Sequence, residues 1–191
     1  MKPVDNQLKE IIKGAIVEVQ AGIGGEVKKP NQLKPEVAKV VMERIGDEYT
    51  AHYFYRNATN WCRNVGYMKA AAFFENEAND ELTHAKMVQD YLVDFNIDVV
   101  IPPAKTDATF ATLIDIVGQA YDMEYGLFNK YNNISSAIFT VDLATFDFLQ
   151  QLREIQRSAV IEYSDLLNAA QLINVNNKLD VLLYERKYFK Q

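Results

Sequence analysis

Apolar positions recur along this chain at spacings of three and four residues, the period of a helix with one buried face. Residues 4–20 carry Val4, Leu8, Ile11, Ile12, Ala15, Ile16 and Val19 in one stripe, with Lys9, Glu10, Lys13 and Glu18 opposite. This predicts an amphipathic helix whose polar face lacks the basic bias of a membrane-surface segment. Gly22, Gly24 and Gly25 end it, and Lys28-Lys29-Pro30-Asn31 reads as a linker. A long helix begins near Pro35, a residue suited to a first helical turn, and runs to about Asn64 with Gly66 as its stop. Further helices are predicted over about 67–95, 109–137 and 143–170, with a short last one carrying Leu179, Leu182 and Leu183 on one side. Residues 96–108, centred on Ile101-Pro102-Pro103, read as a long extended connection. Residues 138–142 turn the chain, and Asn174 to Asn177 interrupt the pattern before the last helix. No alternating strand pattern of any length is present. The expected architecture is all-α: a four-helix bundle with one long crossover, an extra N-terminal helix and a short C-terminal helix. Residues 1–31 would form the N-terminal helix and linker, and residues 32–191 the bundle.

Composition narrows this picture in three ways. With 49% hydrophobic residues and only 8 Gly and 5 Pro in 191, the chain favours long uninterrupted elements around one substantial core. Its 20 basic and 26 acidic residues leave a net charge of −6, which argues against non-specific nucleic-acid binding and is compatible with attracting cations. A single cysteine, Cys62, excludes an internal disulfide framework and any Cys-x-x-Cys metal site; beside Trp61 it reads as a reduced core thiol. No apolar run approaches the roughly 18 residues of a membrane span and no signal-peptide core is evident, so a cytoplasmic location is expected.

The candidate chemistry centres on Glu81-Leu82-Thr83-His84. At three residues apart, Glu81 and His84 share one helix face, where a carboxylate and an imidazole can converge on iron, manganese or zinc. Alone this pair is common on solvated helices. It gains weight from an internal repeat: Glu48 is followed seven residues later by Tyr55, and Glu124 seven residues later by Tyr131. From Glu48 to Glu81 is 33 residues, and from Glu124 to Gln156 is 32, so two helical hairpins present such residues at equivalent depths. The repeat breaks where Gln156-x-x-Ala159 stands in place of Glu81-x-x-His84. Glu48, Glu81 and Glu124 each lie in a mainly apolar stretch, where a carboxylate is costly unless paired or metal-bound. No lysine or arginine is expected one turn away on the inner face to neutralise them. The competing reading, exposed glutamates on amphipathic helices, fits each residue singly but not the set. His52, four residues after Glu48, is read first as a packed histidine donating to a carbonyl, with a ligand or proton-relay role as the alternative.

Over roughly residues 33–190 the chain resembles a ferritin. The resemblance rests on Gly46-Asp47-Glu48-Tyr49 through Tyr55 to Asn60-Trp61-Cys62, on Asp80-Glu81-Leu82-Thr83-His84, on Ala120-Tyr121-Asp122-Met123-Glu124, and on Thr145-Phe146-Asp147-Phe148-Leu149-Gln150 followed by Gln156. It implies a ferritin-like bundle with a ferroxidase centre, two irons per subunit and a homo-oligomeric shell, with Fe(II) and dioxygen or peroxide as substrates. Carried over, Glu48, Glu81 and His84 would hold one iron, Glu81 would bridge to the second, and Glu124 would hold that second iron with Gln156 nearby. Tyr55 would be the tyrosine hydrogen-bonded beside the pair and, with Glu81, would serve the reaction. Leu82 stands where bacterioferritins carry their haem methionine, so no haem is expected, and Asp80 is the one acidic residue expected to serve mineral nucleation. Residues 1–31 have no counterpart in an ordinary ferritin; a docking partner for residues 1–28 is expected. The implied function is an iron-storage ferroxidase. The alternatives are a ferritin-like structural protein docked through its N-terminal helix, and a di-iron oxidase that retains its metals.

Overall fold

The computed structural model describes residues 33–189, so the predicted N-terminal helix and the boundary at residue 31 lie outside the described residues. Within them the chain forms five helices: α1 (Pro35–Val65), α2 (Met68–Asp94), α3 (Leu113–Ile138), α4 (Leu143–Ala170) and α5 (Lys178–Tyr188). No strand occurs among the described residues. The first hairpin, α1–α2, turns at Gly66, whose φ of 94° caps α1 in the left-handed region that glycine enters without penalty. The amides of Gly66 and Tyr67 both donate to the Cys62 carbonyl, at 3.0 and 2.9 Å. The second hairpin, α3–α4, turns after Ile138, and Asp142 caps α4 by accepting from the Thr145 amide at 2.8 Å.

Residues 95–112 carry the chain from the end of α2 back along α1 to the start of α3. The connection is strapped to α1 at successive turns. Gly46 has no side chain where Pro102 and Pro103 cross; a Cβ there would meet Pro102 Cβ at 3.1 Å and the Pro103 carbonyl at 3.2 Å. The Lys105 amide donates to Thr50 Oγ1 at 3.0 Å, Asn57 Nδ2 donates to the Thr106 carbonyl at 3.0 Å, and Phe110 packs edge-on against Phe54. The predicted start of α3 at residue 109 is corrected to Leu113. Thr112 caps the helix by accepting from the Asp115 amide at 3.0 Å, while Asp115 accepts from the Ala111 amide at 2.8 Å. This reciprocal pair defines a sharp start that apolar periodicity alone does not reveal.

The hydrophobic core is in two parts. One, built on Val41, Ile45, Leu92, Tyr131, Leu149 and Leu152, fills the end where α1 and α4 begin. The other, built on Tyr55, Phe74, Ile116, Tyr163, Tyr184 and Phe189, fills the end closed by α5. Cys62 is free and buried in this second part, in keeping with a reduced core thiol, and burial pushes its thiol up to about 12. Between the two parts lie the buried polar side chains of Glu48, Glu81, Glu124 and Gln156.

Helix α5 closes its end through an ionic clip. Tyr67 at the N-cap of α2 supplies no side-chain cap. Instead Glu185 of α5, itself buried, accepts from the Lys69 and Ala70 amides at 2.6 and 3.0 Å. A carboxylate there satisfies two orphan donors and meets the positive end of the α2 dipole. Glu185→Ala should cost roughly 1–3 kcal/mol, the penalty for leaving buried donors unpaired. It should lower the thermal midpoint and expose α5 to proteolysis, and Glu185→Gln, which can still accept, should recover part of the loss. An unchanged midpoint in the alanine variant would show that the clip does not hold α5.

Candidate metal centre

Four helices bring the predicted residues to one level. Glu48 comes from α1, Glu81 and His84 from α2, Glu124 from α3 and Gln156 from α4. The three glutamates and Gln156 are all buried, whereas His84 is partly exposed. One ligand atom each of Glu48, Glu81 and His84 lies within 4.8 Å of the others. His84 Nδ1 sits 3.1 Å from Glu81 Oε2 and 3.8 Å from Glu48 Oε2. The latter oxygen is buried and receives no amide or hydroxyl hydrogen from the described residues; on this side the Glu48 carboxyl shares a proton with the carboxyl of Glu81. A buried carboxylate oxygen facing an imidazole nitrogen and a second carboxylate is a donor set that suits a hard or borderline divalent ion such as iron, manganese or zinc.

Glu124 is held differently. Tyr55 Oη donates to its Oε1. The Gln156 amide is satisfied only with its nitrogen toward Glu124, where it donates to Oε2 at 2.8 Å and to the Glu124 carbonyl at 3.3 Å. On the other half of the repeat, Tyr131 Oη donates to Glu48 Oε1. The two tyrosines therefore bond crosswise: the α1 tyrosine serves the α3 glutamate, and the α3 tyrosine serves the α1 glutamate. Burial, then the neighbouring carboxylates, push both phenols well up, so they remain hydrogen-bond donors. Tyr131 was not among the residues singled out as functional, although the seven-residue glutamate–tyrosine spacing in both hairpins contained the signal.

The expectation that no basic residue lies one turn from these carboxylates is corrected at Arg44. It precedes Glu48 by one turn and is buried. Its guanidinium is committed elsewhere: Nη1 lies 2.6 Å from Asp47 Oδ2 and Nη2 3.4 Å from Glu43 Oε2, while Lys130 Nζ donates to Asp47 Oδ1 at 2.6 Å. Arg44 is thus held within α1 and leaves the glutamates unneutralised, while Asp47 joins α1 to α3 through Lys130. His52 takes its bland role, with Nδ1 donating to the Ala78 carbonyl at 2.6 Å across the hairpin.

A cleft of about 410 Å³ between α2 and α4 leads outward from Glu81, His84 and Gln156. Its walls carry Glu77, Asp80, Glu154 and Glu162. The convergence is between helices, so no local stretch of sequence displays it. Tyr163 Oη donates to Glu77 Oε2 at 3.1 Å and stacks on Tyr55 with centroids 6.0 Å apart. Burial and then Glu162 raise the Glu77 carboxyl to about 8. Burial raises Glu124 to about 7, Tyr55 opposing the shift; Glu48 and Glu81 are pushed well up by burial and then by their carboxylate neighbours. The metal-free centre consequently holds protons near neutral pH where divalent ions could replace them.

Comparisons with known proteins agree with this architecture. Residues 39–173 match the ferritin-like domain of the Ferritin family. The bacterial non-heme ferritin of Escherichia coli is 30% identical over 120 residues, covering 62% of this chain and 73% of that protein. That of Campylobacter jejuni is 27% identical over 143 residues, covering 74% of this chain and 86% of that protein. A humanized archaeal ferritin superposes with a TM-score of 0.78 at 16% identity, covering 84% of this chain and 99% of that one, a likeness of fold. Among the described residues no helix is long and apolar enough to cross a membrane.

The raised carboxyls make stability depend on pH. Their folded values lie above the ordinary 4.5, so between that value and the folded one the native chain holds protons the unfolded chain has released. Their contribution is full below about 4.5 and is lost as pH rises through about 7 at Glu124 and about 8 at Glu77. Each such group can contribute a slope of at most about 1.4 kcal/mol per pH unit. Calorimetry of the chelator-treated protein should show the midpoint falling from pH 5.5 to pH 8.5, and Glu77→Gln should flatten the upper part of that fall. A midpoint that rises over this range would contradict the assignment.

Proposed function

This chain belongs to the ferritin family, and we propose on that premise that it is an iron-storage ferroxidase, with Fe(II) as substrate at the centre between the two halves of the core. The observation that carries the reading is the convergence of donor atoms of Glu48, Glu81 and His84 within 4.8 Å of one another in a buried layer that also holds Glu124. Glu48, Glu81 and His84 would hold one Fe(II). Glu124 would hold a second, with Gln156 beside it and Glu81 shared; Glu124 is, after burial, the first cause that raises the Glu81 carboxyl, which supports that sharing. Two Fe(II), each losing one electron, reduce dioxygen by two electrons to the level of peroxide. The chain's own part is to position the ions, to exchange carboxyl protons for them, and to hold Glu124 and Glu48 through Tyr55 and Tyr131.

Storage, rather than retention of a fixed di-iron cofactor, is supported by the asymmetry of the donors. The second position has the neutral amide of Gln156 and the methyl of Ala159 where the first has Glu81 and His84. Hard carboxylate oxygens hold Fe(III) better than an amide does, so the second position should release its product more readily. The acid-lined cleft gives released Fe(III) a polar path from the centre. Assembly into a homo-oligomeric shell is supported by large apolar side chains left at the surface, among them Leu143, Leu172 and Leu179 with 63%, 81% and 60% exposure.

Stopped-flow oxidation under air tests the centre. Glu81→Ala should abolish the fast phase while the helical content survives, because removing one of three mutually repelling carboxyls offsets the lost ligand in the metal-free chain. Unchanged rates in both Glu81→Ala and His84→Ala would place the chemistry elsewhere. Repeated aerobic additions of Fe(II) test storage: the protein should take up far more iron than two per subunit. Uptake that stops at two, held against a chelator, would establish the fixed-cofactor reading instead.

A further inference from the structure

The two halves of the centre are alike in sequence and unlike in how their carboxylates are satisfied. Glu48 and Glu124 are equally buried, each at 1% exposure, and each accepts from one tyrosine through Oε1. The difference is at Oε2. That of Glu48 receives no amide or hydroxyl hydrogen, its carboxyl being paired with Glu81, another donor of the same cluster, whereas that of Glu124 accepts from the Gln156 amide nitrogen at 2.8 Å. The cluster of convergent donor atoms accordingly contains Glu48, Glu81 and His84 and leaves Glu124 out.

An amide nitrogen donates and has no lone pair available to a metal; only the amide oxygen can ligate. In the metal-free protein Gln156 thus presents its non-ligating end to Glu124 and occupies the oxygen a second ion would need. Gln156 can serve as a ligand only after its amide turns over, and that turn breaks its bond to Glu124. Resting on the reading of this centre as an Fe(II) site, we infer that Gln156 is a latch on the second metal position, so that the two positions fill in a fixed order. The first ion meets donors that already converge and need only release a proton. The second must displace a charge-assisted hydrogen bond before it gains Glu124 Oε2. The role of Gln156 is then one of positioning, exerted through Glu124, and it differs in sign from that of a simple ligand: a ligand strengthens the second step, a latch weakens it.

Leucine at position 156 separates the two. It removes both the donor and the ligating oxygen, and Gln156 lines the solvent-accessible cleft, where water can replace the oxygen. The experiment is an anaerobic Co(II) titration of the full-length chain at pH 8, followed by the visible absorbance of the bound ion. The wild-type chain should show two steps per subunit, the second weaker. In Gln156→Leu the second step should tighten by about tenfold, the size of one hydrogen bond to a charged group less the contribution of a weak ligand, with the first step unchanged as the internal control for folding. Gln156→Met, unbranched and equally unable to donate, reads the same step should the leucine variant fail to fold. A second step that weakens or stays in place would overturn the latch and leave Gln156 an ordinary ligand or a bystander. A His84→Ala chain that binds Co(II) as the wild type does would instead remove the metal-site reading beneath it.

Discussion

Three carboxyl groups buried at one level of a helical bundle are the constraint from which the rest of this structure follows. In an apolar interior each would be expensive, and the one nearby guanidinium, Arg44, is already committed to Asp47 and Glu43. The chain meets the cost with protons, with the pairing of Glu48 and Glu81, and with hydrogen bonds from Tyr55, Tyr131 and Gln156. Apolar residues pack above and below this layer, so the core exists as two parts. A metal centre of this kind is a polar defect that the two hydrophobic parts are built to enclose. The crosswise tyrosines tie the parts together, since Tyr55 belongs to one and Tyr131 to the other.

Much of this was legible in the amino-acid pattern. The helices from Pro35 to Tyr188 announce themselves by their period, by Pro35 and Gly66 at the ends of α1, and by the Pro102-Pro103 pair in the crossover. Glu48, Glu81, His84, Glu124 and Gln156 stand at repeat spacings, and the structure brings their side chains to one level. What the pattern could not supply depends on contacts between helices. Arg44 looks available to Glu48 or absent from the inner face until its partners on α1 are seen. The acid-lined cleft arises because Glu77 and Glu162, far apart in sequence, meet across α2 and α4. The start of α3 was misplaced because Phe110 continues the apolar rhythm while packing on Phe54 as part of the crossover. Glu185 gives no local sign of its partner, since the amides it caps belong to a helix more than one hundred residues earlier.

Satisfaction of hydrogen bonds carried more functional information here than ligand identity did. Glu48 and Glu124 are the same residue type at equivalent places, equally buried, and each paired with a tyrosine. Only the state of the second oxygen distinguishes them. That difference is invisible to any motif, because it depends on which end of an amide faces a carboxylate.

The topology also gives the centre a chronology. Glu48, Glu81 and His84 all lie on the α1–α2 hairpin, whose helices are joined by the short turn at Gly66. Closing that hairpin brings the three donors together at the modest entropic cost of a local contact. Glu124 and Gln156 belong to the second hairpin and join the level only after residues 95–112 have traversed the bundle. Each half of the centre is therefore a local product of its own hairpin, and the long-range step is the docking of the two, so a site that needs Glu81 and Glu124 together exists only once both hairpins have met.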